Sequence, residues 1–120
     1  MLAARTLDRL VDQAGRLEGV RGADLRPGDR LVVDTRNSSY SICALGEGRY
    51  WVWGGWFDRQ GVSPATVAIN GCTWGGSAIK TDMVAARGLH LEFGNRVVTS
   101  RIRDIRLIRF EAPLPARAAG

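Results

Sequence analysis

The chain has one histidine, His90, two residues ahead of Glu92, and in an extended strand the two share a face. An imidazole beside a carboxylate is the arrangement of an acid–base pair. Such chemistry also needs a nucleophile and an oxyanion site, and no nucleophile-elbow pattern occurs. The pair therefore reads as two exposed strand residues. Cys43 and Cys72 lie 29 positions apart and, with a single histidine, lack the paired spacing of a zinc site. Aspartates and glutamates come singly, which gives no cage for a hard cation. The glycines from Gly71 to Gly76 have neither phosphate-loop spacing nor a lysine–hydroxyl pair after them, so they read as bends. The expectation is a protein that is not an enzyme and carries neither metal nor cofactor.

A faint likeness to the aspartic-protease approach to its carboxylate, Val32-Val33-Asp34-Thr35, fails at the next position. That junction needs a small residue, and here it is Arg36; Asp34 reads as a turn cap. Two other features point toward binding. Trp51 and Trp53 share one face of a strand, Trp56 follows a double glycine, and Trp74 stands between glycines. Bases and sugars stack on such platforms. Tyr50 and Val52 occupy the opposite face of the same strand, so one set must line the core. Core packing is the expectation for at least two of the four tryptophans. The second feature is a run of arginines, Arg96, Arg101, Arg103, Arg106 and Arg109, interleaved with Ile102, Ile105, Leu107 and Ile108. It describes either a cationic ribbon that follows a phosphate backbone or an edge strand using charge against aggregation.

The net charge is +5, and of the 17 basic residues only Lys80 is not arginine. Two explanations compete for the preference, the fit of arginine's planar fork to phosphate and a GC-rich genome that replaces lysine everywhere; the genome does not account for the placement. Residues 95–120 carry Arg96, Arg101, Arg103, Arg106, Arg109 and Arg117 against Asp104 and Glu111. Length allows one domain. Two distant cysteines read as buried thiols in a reducing cytoplasm. No stretch approaches membrane-spanning length, and Asp8 and Asp12 interrupt any export signal.

The elements that must position these residues follow from periodicity. Leu7, Leu10, Val11, Ala14 and Leu17 recur at helical spacing, which predicts a helix over 6–17 with an apolar stripe in need of a partner. The Pro27-Gly28 turn opens the β region. Strands are predicted over 30–35, 40–45 and 49–53. Residues 57–64 read as a mobile loop, and 65–69 lead into the stretch 69–80. There, glycine breaks at Asn70-Gly71 and Gly75-Gly76 flank Trp74, whose indole is expected to pin a sharp bend to the core. Strands follow over 78–84, 89–93 and 96–99. A last one over 102–110 breaks period at Arg103-Asp104, where a kink or a single 3₁₀ turn is expected.

Leu25-Arg26-Pro27-Gly28-Asp29, 69–77 (Ile-Asn-Gly-Cys-Thr-Trp-Gly-Gly-Ser) and Val98-Thr99-Ser100-Arg101-Ile102 carry a resemblance to a family of small, largely uncharacterised β-barrel proteins of high-GC bacteria. It covers roughly the stretch from Pro27 to Arg109, with Cys72 where a small hydroxyl residue is expected. The resemblance implies a barrel fold and a link to nucleic acid, and it supplies no catalytic residues.

Together these readings predict a mainly β protein, a small closed or partly open antiparallel barrel with one N-terminal helix. Residues 1–24 form helix and linker, 25–111 the barrel and 112–120 a flexible tail. The function expected is sequence-tolerant binding of DNA or RNA in the cytoplasm, without catalysis and away from membranes. Arg96, Arg101, Arg103, Arg106 and Arg109 would contact phosphate, and Trp51 or Trp53 would stack on bases. The alternative is a structural or adaptor protein, a homo-oligomer assembled through Leu7, Leu10, Val11 and Ala14 and the barrel surface. A sugar or small-ligand site at Trp56, Trp74 and the Asp58 loop is a third reading.

Overall fold

The computed structural model describes residues 17–110. Within them the chain runs β1 (Gly19–Arg21), a 3₁₀ turn (Gly22–Asp24), β2 (Arg30–Thr35), β3 (Ser39–Gly46) and β4 (Arg49–Gly54). It continues through a one-turn helix α1 (Gly55–Arg59), β5 (Ala65–Thr73), β6 (Ile79–Lys80), β7 (Met83–Ala86), β8 (His90–Phe93) and β9 (Ile102–Ile108). The predicted helix over 6–17, and with it Leu7, Leu10, Val11 and Ala14, lies outside the described residues except at its last position. Leu17 is not helical. It is buried, and its amide donates to the Ile105 carbonyl at 3.0 Å.

The protein is mainly β. Strands β2, β3, β4 and β5 form an antiparallel meander, and β9 returns to lie beside β2, giving the order β6-β5-β4-β3-β2-β9. The long β5 serves three neighbours, the short β6 pairing at Cys72 and Thr73. Ala65, Thr66, Val67 and Ala68 pair with β4, whereas Ile69 to Thr73 pair with β8. The register shifts between Ile69 and Gly71, so the predicted break at Asn70-Gly71 is a bulge inside a continuous strand. Such a bulge bends the sheet. Gly71 sits at φ 143°, and a Cβ there would run into the Lys80 carbonyl. Asn70 fixes the bulge to β8, its amide donating to Glu92 Oε2 at 2.8 Å and to the Phe93 carbonyl at 3.2 Å.

The result is a curled antiparallel sheet, a half-barrel in outline. Its far side is tied where the Gly88 amide donates to the Ile102 carbonyl at 2.9 Å and the Ile102 amide to the Leu89 carbonyl at 2.7 Å. The short pair β1–β7 forms a second sheet. The predicted strand over 78–84 divides into β6 and β7, and the return over 96–99 reduces to one bridge, Glu92 with Val98.

Alternation decides what is inside. Leu31 and Val33, then Tyr40, Ile42 and Ala44, then Tyr50 and Val52 all point into the curl and are buried. Cys72, Leu91, Phe93, Ile102 and Ile105 meet them. The centre is occupied by Phe57 of α1, inside the stretch predicted as a mobile loop. It is fully buried, with its ring edge-on to Phe93 at 4.9 Å and to Trp56 at 5.2 Å. A glycine pair makes this entry possible. Gly54 and Gly55 have φ 97° and 45°, and a Cβ at either would overlap the Ser39 carbonyl or the Tyr40 ring.

The core therefore takes phenylalanine and tyrosine, not tryptophan. Only Trp56 packs partly against it, which overturns the expectation of two core tryptophans. Trp74 is 58% exposed and pins nothing. Buried Cys72 and Thr73 hold that end of β5, and the Gly75 amide donates to Thr73 Oγ1 at 3.2 Å.

Candidate nucleic-acid interface

Because Tyr50 and Val52 point inward, Arg49, Trp51 and Trp53 are forced onto the outer face of β4. The register then fixes their neighbours. Ile108 of β9 stands opposite Arg30 of β2, Arg30 opposite Cys43 of β3, Cys43 opposite Trp51 and Trp51 opposite Thr66 of β5. The adjacent row runs Arg106, Val32, Ser41, Trp53. On the far side of Trp51, Arg49 stands opposite Ala68. Two indoles and three guanidiniums thus share one outer surface, with neighbouring strands about 4.8 Å apart.

Trp51 is 44% exposed, and its ring stands edge-to-face with Trp53 at a centroid separation of 6.2 Å and an angle of 83°. Leu45 and Ile108 add exposed apolar surface, with Ile108 at 54%. Within these strands the acids lie at one end, where Asp34 stands opposite Asp104, and exposed Glu47 lies in the β3–β4 turn at the Arg49 end. Arg106 Nη2 is 3.9 Å from Asp34 Oδ2, with both side chains well exposed. A pair that long and that wet contributes little and leaves most of the guanidinium's donors available.

The five arginines predicted to act as one ribbon are in fact dispersed. The register shift between Asp34 and Thr35 leaves Arg103 as an extra residue in β9, so the break in period at Arg103-Asp104 is a bulge. Arg106 alone joins the tryptophan face. Arg96 is in the turn after β8, with φ 72°, two residues after Gly94, whose amide donates to the Ala68 carbonyl at 2.7 Å. It therefore borders the face at the Arg49 end. Arg101 and Arg103 lie at the other end of the sheet, lining a cleft with Arg36.

Arg109 is committed to the protein itself. It forms an ion pair with Asp29, which is only 2% exposed. That carboxylate also accepts the Arg26 amide at 2.9 Å and the Phe110 amide at 3.0 Å. Burial works against the charge on Asp29, but the two amides and the Arg109 guanidinium outweigh it and hold the carboxyl below the usual carboxylate range. Arg109 is thus a fastening of the fold.

His90 and Glu92 form no pair. His90 Nδ1 lies 2.8 Å from the Thr99 carbonyl, while Glu92 accepts from Asn70. Burial pushes the Cys72 thiol up to about 12, which removes it as a nucleophile near neutrality. Among the described residues no group of three or more His, Cys, Asp or Glu could hold a metal ion, and no helix is long and apolar enough to cross a membrane. Of the residues of the third reading, Trp56 is half-buried against the core and Trp74 is exposed beyond the end of β5. Asp58 accepts from the Gly54 amide at 2.9 Å and from Ser63 Oγ, and so closes the α1 turn.

Arg30 and Arg49 were missed by sequence reasoning although both carry a signal. Arg49 has the parity of Trp51 and Trp53, and Arg30 precedes the inward Leu31. No family model, curated protein or solved structure matches the chain.

Proposed function

We propose that this is a cytoplasmic, non-enzymatic protein that binds single-stranded DNA or RNA with little regard to sequence, through the outer face of the β2–β3–β4–β9 sheet. Trp51 and Trp53 supply stacking surface, and Arg30, Arg49 and Arg106 neutralise phosphates on either side. The observation that supports this reading is the register, which sets exposed Trp51 and half-buried Trp53 in the same cross-strand rows as Arg30 and Arg106. Stacking tolerates any base because every base has a π face.

The test is fluorescence anisotropy of a labelled mixed-sequence 12-mer with the wild-type chain and with Trp51→Ala plus Trp53→Ala. The double change removes stacking of roughly 1–3 kcal/mol per base and weakens binding at least tenfold. Equal affinity of the two proteins would refute the assignment.

A second reading is favoured by the exposed Leu45, Trp51 and Ile108 on the same face: self-assembly of an adaptor through that apolar surface. It predicts a larger species in sizing experiments that Trp51→Ala and Ile108→Ser return to the monomer.

A further inference from the structure

At the end of the sheet away from Arg49, a cleft of about 540 Å³ is lined by Arg36, Asn37, His90, Ser100, Arg101 and Arg103. That volume suits a small ligand. Among the described residues three arginines line it and no carboxylate does. The walls are pinned. The Arg36 amide donates to the Arg101 carbonyl at 2.9 Å, and the Asn37 amide to Ser100 Oγ at 2.9 Å. Ser100 Oγ in turn donates to Thr35 Oγ1 at 2.8 Å. The turn after β2 is thereby locked to the segment ahead of β9, and the arginines start from fixed backbone positions.

Arg101 is further held by donating from Nη1 to the Gly88 carbonyl at 2.7 Å. Thr99 offers His90 a carbonyl, which can only accept, so Nδ1 carries the proton and the Nε2 edge is left for another partner.

Gathering three like charges without an acid between them is unfavourable unless an anion resolves it. The planar forks of arginine match the tetrahedral oxygens of phosphate. A phosphodiester offers one negative charge, whereas a terminal phosphate offers close to two. We propose that this cleft binds a phosphate monoester. The same chemistry comes from a phosphorylated small molecule or from the 5′-phosphate of a nucleic-acid strand. The site is separate from the tryptophan face and does not depend on it.

The experiment uses the full chain at constant ionic strength, titrated with inorganic phosphate against a chloride control, with the arginine side-chain NMR signals as readout. A second titration compares a 5′-phosphorylated with a 5′-hydroxyl oligonucleotide. Saturable, phosphate-specific shifts confined to Arg36, Arg101 and Arg103 are expected, and Arg36→Ala with Arg103→Ala weakens them by about tenfold per arginine removed. Arg36→Gln with Arg103→Gln serves if the alanine form does not fold. Trp51→Ala with Trp53→Ala leaves the phosphate response intact, which separates this site from the stacking face. A preference for the 5′-phosphorylated strand that disappears in the arginine variant identifies a strand end as the source. Equal binding of the two strands, with the inorganic phosphate response retained, identifies a small molecule. No phosphate-specific response, or one unchanged in the arginine variants, overturns the proposal.

Discussion

Replacing Arg30 and Arg106 by alanine should change how binding depends on salt before it changes anything else. Both guanidiniums stand on the outer face, in the rows that contain Trp51 and Trp53, and only Arg106 has an acidic neighbour, at 3.9 Å. On the proposed reading, with Arg49 counted, three phosphates would be neutralised. For a single strand the slope of log K against log salt is about −0.7 per phosphate, so about −2 for the wild type. A fourfold rise in salt then lowers wild-type affinity about twentyfold. The double variant retains one contact, and the same rise lowers its affinity only about threefold. The assay is anisotropy of a labelled 12-mer at five salt concentrations, with Arg21→Ala as the charge control. Arg21 lies on β1, outside this sheet, and pairs with Asp24 at 3.6 Å. Its removal leaves the slope unchanged. A double variant that keeps the wild-type slope, or a control that loses as much as the face variants, would refute the reasoning, because net charge and not this surface would then set the affinity.

Three further outcomes follow from the packing. Phe57→Ala empties the centre of the core and should cost about 3–5 kcal/mol, read as the shift in a urea midpoint at unchanged slope. Asp29 has a carboxyl held low in the folded state, so its contribution is present above the unfolded value of 3.8 and is lost as pH falls through the lower folded value. Urea midpoints should therefore drop below about pH 4 in the wild type and be flatter there in Asp29→Asn, which is already destabilised at neutral pH by about 2–3 kcal/mol. Cys72, buried and with its thiol pushed up to about 12, should react with a thiol reagent only after unfolding, whereas the half-buried Cys43 reacts in the native protein. Two equal native rates would contradict this core.

Local alternation carried most of the meander. Tyr40, Ile42 and Ala44 share an inward parity that can be read residue by residue, and β2 falls where the pattern puts it because one face of the sheet is buried. The irregularity at Arg103-Asp104 was visible as a break in period, but whether a strand bulges or turns depends on the partner's register, which the chain alone does not state. Phe57 was hidden for a different reason. Its neighbours Gly55, Asp58 and Gly61 are turn-forming types, and a single helical turn has too few residues to show a period. Only the contacts with Phe93 and Tyr40 reveal the plug. The arginine ribbon failed because sequence proximity is not surface proximity. One bulge and one buried aspartate were enough to send five neighbouring cations to four different places.

The orientation of β4 is what places Trp51 and Trp53 on the outer face of the sheet. Parity allows either Tyr50 with Val52 or Trp51 with Trp53 inside, and the curl already holds Phe57 edge-on to Tyr40 and Phe93, with the last two tilted against each other. The smaller pair goes in and the indoles stay out. A tryptophan presents up to about 250 Å², so Trp51 at 44% exposure leaves on the order of 100 Å² in water. At about 25 cal/mol per Å² that is ~2.5 kcal/mol of burial available to a partner. Both readings of this face draw on that same surface, and salt separates them. Stacking between phosphate-bound arginines weakens steeply as salt rises, whereas apolar association of two copies holds or strengthens. A complex on the Trp51 face that survives high salt would therefore favour self-assembly, and one that dissolves there would favour a polyanion.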